Sequence, residues 1–441
     1  MSCTSAPRTS RRSPRRNRVV RVGNVAGMTD SSGIDFQRVT TNEQLLGFQE
    51  CASIGFQSRM PDAEQWREAV AAQLDSLDHR IAVDGERTVG TFLSFDQELT
   101  AVGGARVPVR AVSAVTVLPT HRRRGILGTH MRGCLDDARA AGHAAATLIA
   151  AEHAIYGRYG FGQSTESVDL RIAVDRGRLP QPPAGEVRYA GGEDYLAASV
   201  RIRELLDFPG RVSKLDINLR RTAGVLPGGG PDETLRVVLC RDGDVAGILA
   251  YTIAPKWTDS RPDSTLKVTE LLGVDAAAER DLWAFAMSID WVLWVEASQR
   301  PLDDIAATVP ADPRTVQISN RTDFLWIRPF DVPALFSART YAAPGRLVLE
   351  VSDPGYDGAG PGPAHGRFLI STDGGPGTCV PTDEPADLSL DVTDLGRLWL
   401  SDEPVARRVA LGSIRELTDG AAARADLMLL SPRRAWAVEM F

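Results

Sequence analysis

The sequence predicts an α/β chain in which one α/β unit occurs twice and a separate α+β domain follows. Three observations carry this reading. The order strand, helix, β-hairpin, strand, turn plus helix, strand recurs in both halves of the chain. A Pro/Gly-rich stretch, "RGRLPQPPAG", separates the two copies. From "DFLWIRPFDVPALF" onward the pattern changes to short strands around a second Gly/Pro-rich loop, "PGYDGAGPGPAHG". The expected segments are a basic tail over 1–30, a first unit over 31–175, a second over 176–325 and a last domain over 326–441.

The first copy opens with "DSSGIDFQRVTTNEQLLGFQECASIGF", a strand and then an amphipathic helix with a Thr-x-x-Glu start near Thr41. A second helix is expected over Ala63–Leu77. In "RIAVDGERTVGTFLSFDQEL" two alternating strands flank Asp84-Gly85, a hairpin signal. "VPVRAVSAVTVL" adds strands that run into "PTHRRRG". A helix follows over Gly125–Ala141, with Ile126, Leu127, Met131 and Leu135 at helical spacing. "HAAATLIAA" reads as a buried strand and "IYGRYGFG" as a short helix or turn. The second copy has its hairpin around Asp242-Gly243, then "LKVTELLGVDAAAERDLWAFAMSIDWV" as strand, turn and helix. In the last domain "GRLVLEVSD" and "GRFLIST" read as strands, and "DLSLDVTDLGRLWLSD" as a strand and a short helix.

Composition narrows the class. With 43% hydrophobic and 24% charged residues the chain reads as globular. It has no apolar run of about 18 residues, so no membrane span is expected. Five cysteines and six histidines are scattered without metal-ligand spacing, which predicts reduced thiols, no metal and a cytoplasmic location. The first 28 residues hold seven arginines and no acid, so the remainder carries a formal −14 against −7 for the whole chain. That stretch has no apolar core of a secretory signal and reads as a disordered tail or as sequence upstream of a start at Met28. An acidic body argues against nucleic acid as a partner and for cationic small molecules.

The arginine knot is the most chemical feature. Arg122, Arg123 and Arg124 lie where a β-branched run ends and a helix opens at Gly125. Freed N–H groups at a helix start, flanked by guanidinium forks, suit phosphate oxygens. Only three lysines accompany 47 arginines, so arginine count alone says little. The comparison between copies says more: the second has "GVDAAAERD" where the first has "VLPTHRRRG". One copy kept a basic turn and the other lost it.

This order of elements resembles the GNAT acyltransferases, whose turn follows R-x-x-G-x-[GA]. Arg122 and Gly125 match; Leu127 stands where Gly or Ala is usual. With "LPTHRRRGIL", "IYGRYGFG" and two further domains, the chain from about Asp30 to Phe441 resembles the enhanced intracellular survival (Eis) family of bacterial N-acetyltransferases. The resemblance implies an acetyl-CoA-binding, catalytic first GNAT domain, a degenerate central GNAT domain and a sterol-carrier-like last domain. It also implies a homo-oligomer, a hexamer built as a dimer of trimers.

Residue by residue, the resemblance implies that the strand backbone at Val115 and Val117 holds the pantetheine arm, and that Arg122, Arg123, Gly125 and Ile126 hold the pyrophosphate of coenzyme A. Tyr156 matches the family's general acid. The family's base is a C-terminal carboxylate, here that of Phe441. Trp66, in the family's "A-x-x-W-R" pattern, and Phe56 and Glu439 by neighbourhood, are expected in the substrate pocket. The family has an acid directly before its terminal Phe, where this sequence has Met440. The expected activity is acetyl transfer to aminoglycosides or other polyamines. The alternatives are protein-lysine acetylation and, from another class, a lipid or sterol carrier with an inactive GNAT unit.

Overall fold

The computed structural model describes residues 28–29, 33–59, 77–226, 232–356, 360–401 and 403–441. The arginine-rich tail, Trp66 and all but the last residue of the helix expected over Ala63–Leu77 lie outside the described residues.

In the first unit β1 (Met28–Thr29) and β2 (Asp35–Arg38) precede α1 (Asn42–Gly55). The capping box of α1 closes between Thr41 and Gln44: the Thr41 hydroxyl accepts from the Gln44 N–H, and the Gln44 side-chain oxygen accepts from the Thr41 N–H, each at 3.2 Å. The expected hairpin is β3 (Asp78–Asp84) with β4 (Arg87–Thr100), turned at Gly85 with φ +61°. β5 (Arg106–Val117) returns antiparallel to β4. Then come α2 (Ile126–Ala140), β6 (Ala145–Ile149) parallel to β5, the short α3 (His153–Tyr156) and β7 (Gly162–Gln163).

The second unit starts with β8 (Glu166–Ala173) and β9 (Glu186–Tyr189), followed by α4 (Gly192–Leu205) and α5 (Asp216–Ala223). Its hairpin, β10 (Leu235–Arg241) and β11 (Asp244–Ala254), turns through Asp242 and Gly243, both at positive φ as a two-residue primed turn requires. A ribbon of β12 (Trp257–Thr258) and β13 (Arg261–Pro262) leads to β14 (Ser264–Gly273), α6 (Ala276–Ser288) and β15 (Val292–Arg300). β16 (Val316–Asp323) and β17 (Leu325–Pro329) connect to the last domain.

That domain contains α7 (Val332–Ala338), β18 (Thr340–Tyr341), β19 (Gly345–Ser352), β20 (Gly366–Thr372) and β21 (Gly375–Pro381). It continues with β22 (Leu388–Asp391), α8 (Val392–Trp399), α9 (Val405–Ala410), β23 (Arg415–Glu416) and α10 (Ala421–Leu429). The residues after α10 run on as a tail without regular structure.

The sheets do not follow chain order. The first is β1-β2-β3-β4-β5-β6-β17-β7, so β17 enters it from beyond the second unit. The second is β16-β8-β15-β14-β11-β10-β9, and the third β18-β21-β20-β19-β22-β23. One hydrophobic cluster therefore runs from the first sheet (Val109, Ala145, Leu325, Ile327) into the last domain (Leu347, Leu349, Leu395, Trp399). Backbones touch at the seam: a Cβ on Gly162 would lie 1.8 Å from the Thr393 carbonyl oxygen, and one on Gly396 2.7 Å from that of Ile327.

A buried ion pair ties the same seam. Arg328 of β17 donates to both oxygens of Asp353, just past β19, at 3.0 and 2.9 Å, and both side chains are out of solvent. Asp353 also accepts the N–H groups of Gly355 and Ala364. Neutralising one partner leaves the other charge buried and uncompensated, which costs about 3–5 kcal/mol. Asp353→Asn is therefore expected to lower the midpoint of urea unfolding clearly. A wild-type midpoint would show that the pair does not hold the domains together.

Candidate active site

The site begins with a bulge. Ala114 of β5 has φ +45°, a conformation that non-glycine residues rarely adopt, and its carbonyl accepts from the Thr91 hydroxyl at 2.7 Å. The β4–β5 register shifts there, between Thr91 and Leu93. An extra residue bends its strand. Accordingly the parallel β5–β6 ladder runs from Val109–Ala145 to Val112–Leu148 and stops. Beyond it Ser113, Thr116 and Val117 pair on the β4 side alone, so the β6-facing backbone of Val115 and Val117 has no partner strand among the described residues.

At the end of that strand the chain turns into α2. Arg123 (φ +64°) and Gly125 (φ +81°) both take left-handed conformations, and Gly125 caps the helix without any side-chain hydrogen bond. The first internal bond of the helix is from the Thr129 N–H to the Gly125 carbonyl at 3.0 Å. The N–H groups of Ile126, Leu127 and Gly128 are thus left for an anion, at the positive end of the helix dipole. Arg124 and His121 face Asp84, at 3.9 and 3.0 Å. Arg122 and Arg123 are exposed and have no hydrogen-bond or ion-pair partner among the described residues.

α2 is held over the sheet by charge as well as by packing. Asp137 accepts from Arg38 at 2.9 Å and from Arg80 at 2.6 Å, and Arg80 also pairs with Asp78 at 2.6 Å. Burial would raise the Asp78 carboxyl, but Arg80, Arg38 and Arg110 around it hold it below the ordinary carboxylate range.

Tyr156 ends α3 and is buried among Met131, Leu135, Leu148 and Phe161, with Val115 at the edge of the same cluster. Its ring meets Phe161 edge-on at 6.2 Å. Burial, helped by Glu152 and Tyr159, pushes its phenol up to about 12. A phenol shifted in this direction keeps its proton at neutral pH.

Phe441 reaches the same strands from the other face. The tail crosses the second unit, where the Trp436 ring stacks on Phe208 at 5.4 Å and its indole donates to the Gln299 carbonyl at 2.8 Å. The Phe441 ring then meets Phe95 edge-on at 5.8 Å, in the cluster of Leu77, Phe95 and Ala111. Phe95 and Ala111 are a cross-strand pair, one residue short of the last β5–β6 pair at Val112. Side chains alternate faces along a strand, so Phe441 lies opposite the α2 cluster that holds Tyr156.

Phe56 is also on this second face. It caps the C-terminus of α1 and is half exposed, beside Thr116: a Cβ on the preceding Gly55 would lie 1.7 Å from the Thr116 hydroxyl oxygen. Glu439, expected to face substrate, is instead buried, its carboxylate paired with Arg203 and, at 3.1 Å, with Lys214. These ion pairs explain its position: a carboxylate out of water needs cations beside it. Sequence reading missed both partners. Their one signal was a lysine in a chain with three.

The central unit supplies an internal comparison. Its parallel β14–β15 ladder also stops short, at Val268–Ala297, five residues before β14 ends. Yet α6 is capped by Asp275, whose side chain accepts from the Ala278 N–H at 2.8 Å and pairs with Arg241 at 2.7 Å. A carboxylate already occupies the place an anionic ligand would take. The residues of the first unit fit the pyrophosphate of coenzyme A; those of the second do not.

Each charge-assisted contact to phosphate is worth about 1.5–3 kcal/mol. Arg122→Ala with Arg123→Ala is expected to weaken coenzyme A binding by about a hundredfold or more in a calorimetric titration, with little change in thermal stability. Unchanged affinity would return the two arginines to the role of a solvated turn.

Comparison with known proteins agrees with this geometry. Residues 37–164 and 219–328 each match a family described as acetyltransferase (GNAT) domain, and residues 332–438 match the sterol carrier protein domain. An uncharacterized N-acetyltransferase of Streptomyces avermitilis is 40% identical over 82% of this chain and 87% of its own length. The N-acetyltransferase Eis of Mycobacterium tuberculosis is 29% identical over 80% of this chain and 86% of its own. The crystal structure of Eis1 from Mycobacterium abscessus superposes with a TM-score of 0.76 at 27% identity, covering 92% of this chain and all of that one. The bulged strand, the uncapped basic helix start and these relatives lead to one conclusion: the chain belongs to the Eis family of GNAT proteins and is an acetyl-CoA-dependent N-acetyltransferase.

Proposed function

We propose that the first GNAT domain carries the transfer and that its acceptors are cationic amines, aminoglycosides or other polyamines. One observation supports this above the rest. The uncapped start of α2 follows the strand whose ladder to β6 ends at Val112, Tyr156 shares a cluster with Val115 of that strand, and the Phe441 ring rests on Phe95, the cross-strand partner of Ala111. The acidic body of the chain favours cationic partners.

Bound acetyl-CoA supplies the thioester. Arg122, Arg123 and the backbone of Gly125 and Ile126 hold its pyrophosphate, and the free strand edge at Val115 and Val117 holds the pantetheine arm. An ammonium group must lose a proton before it can attack. The α-carboxylate of Phe441 takes that proton on the face of the sheet opposite α2. The new C–N bond forms as the C–S bond breaks, and Tyr156 gives its phenolic proton to the departing sulfur. The acylated nitrogen then sheds its second proton to solvent, and solvent reprotonates the phenolate and takes the proton from the Phe441 carboxyl group. Burial keeps the Tyr156 phenol protonated at neutral pH, so its proton is in place when the sulfur departs.

Thiol release from acetyl-CoA, followed with tobramycin, spermidine, a lysine peptide or no acceptor, tests this reading. Release is expected with tobramycin and spermidine above the lysine peptide. Release with the peptide alone, or with no acceptor, would overturn it. In the same assay Tyr156→Phe should lower kcat by about 10²-fold, with thermal stability little changed. The wild-type kcat should show no alkaline fall from this phenol below about pH 11.

A further inference from the structure

We propose that the buried charges of Arg203, Lys214, Glu270 and Glu439 form a positioning device that fixes where Phe441 ends on the first sheet, an inference that rests on the reading of its carboxylate as the base. The four groups come from four places. Arg203 is on α4, Glu270 on β14, Lys214 on the segment between α4 and α5, and Glu439 on the tail. Arg203 pairs with both glutamates, and Lys214 reaches Glu270 at 3.0 Å and Glu439 at 3.1 Å. Tyr195 donates to the second oxygen of Glu270 at 2.7 Å. All four charged side chains are less than a tenth exposed.

The device connects directly to the catalytic sheet. The segment carrying Lys214 lies along the end of β4: the Thr100 N–H donates to the Arg211 carbonyl at 2.8 Å, the Ser213 N–H to that of Glu98 at 2.9 Å, and Leu99 bridges to Val212. β4 is the strand that bears Phe95, the residue Phe441 rests on. Tail and sheet are thus referred to one fixed point.

Register is the reason for charge here. In the last residues of the tail Glu439 is buried, Met440 exposed and Phe441 again inward, the period-2 pattern of an extended segment. A slip by one residue would leave two buried cations facing a methionine and would withdraw Phe441. Buried ion pairs add little to stability compared with apolar groups of the same shape, and setting register is their best-attested use. Misplacement of a reacting group by about 1 Å can cost about 10²-fold in rate.

Two variants test the proposal. Glu439→Gln removes one charge. Glu439→Leu with Lys214→Met removes one of each sign and leaves the Arg203–Glu270 pair balanced, so that it stays folded. Each is measured in two ways: release of Phe441 from the folded protein by carboxypeptidase, followed by mass spectrometry, and kcat against the KM for acetyl-CoA. The expected result is release more than tenfold faster than wild type and kcat down more than tenfold, with the KM for acetyl-CoA within twofold. Unaltered release with unaltered kcat in the balanced double variant would overturn the positioning role alone. Faster release with unaltered kcat would overturn the carboxylate reading on which it rests.

Discussion

The parting of β5 from β6 after the Val112–Leu148 pair is the constraint on which the rest of the site depends. It is made locally, by one residue in a left-handed conformation at Ala114 and the hydrogen bond of Thr91 to its carbonyl. Everything else is placed against it. The glycine at the end of α1 lets that helix touch Thr116, the carboxylates of Asp78 and Asp137 pin α2 through Arg38 and Arg80, and the uncapped start of α2 opens where the free strand edge ends. A fully paired β5 would leave none of these features a common focus.

Two copies of one fold diverge at a single cap. Gly125 leaves a helix start open to an anion, whereas Asp275 fills the equivalent start with its own carboxylate. The backbone geometry of a parted sheet survives in both, so the two helix starts differ in electrostatics rather than in frame. The second unit then takes another part: it carries the tail, through Trp436 and the Glu439 ion pairs, back to the first sheet. Entry of β17 into that sheet brings the last domain alongside the first.

Much of this was legible where local chemistry forces a conformation. The hairpin expected around Asp84-Gly85 turns one residue on, at Gly85-Glu86 with Gly85 at positive φ, the one expected at Asp242-Gly243 turns there, and the basic turn met a helix start at Gly125. The capping box was placed near Thr41, but its closing partner is Gln44, because an amide and a carboxylate serve equally there. The placement of β17 had no local signal: "LWIRP" is buried at every position, so no alternation reveals its face, and its partners in β6 lie far back in the chain. Glu439 shows the same limit. An acid near a terminus reads as a surface or pocket group until cations distant in sequence are folded around it.

The central claim is that the chain's last carboxylate accepts the proton of the attacking amine. Replacing the α-carboxylate of Phe441 by its carboxamide, through semisynthesis of the final residues, changes that group alone and keeps the ring against Phe95. The account predicts a fall in kcat of about 10²-fold or more, the scale of general-base catalysis, with coenzyme A affinity and thermal stability unchanged. A carboxamide protein with wild-type kcat would contradict it.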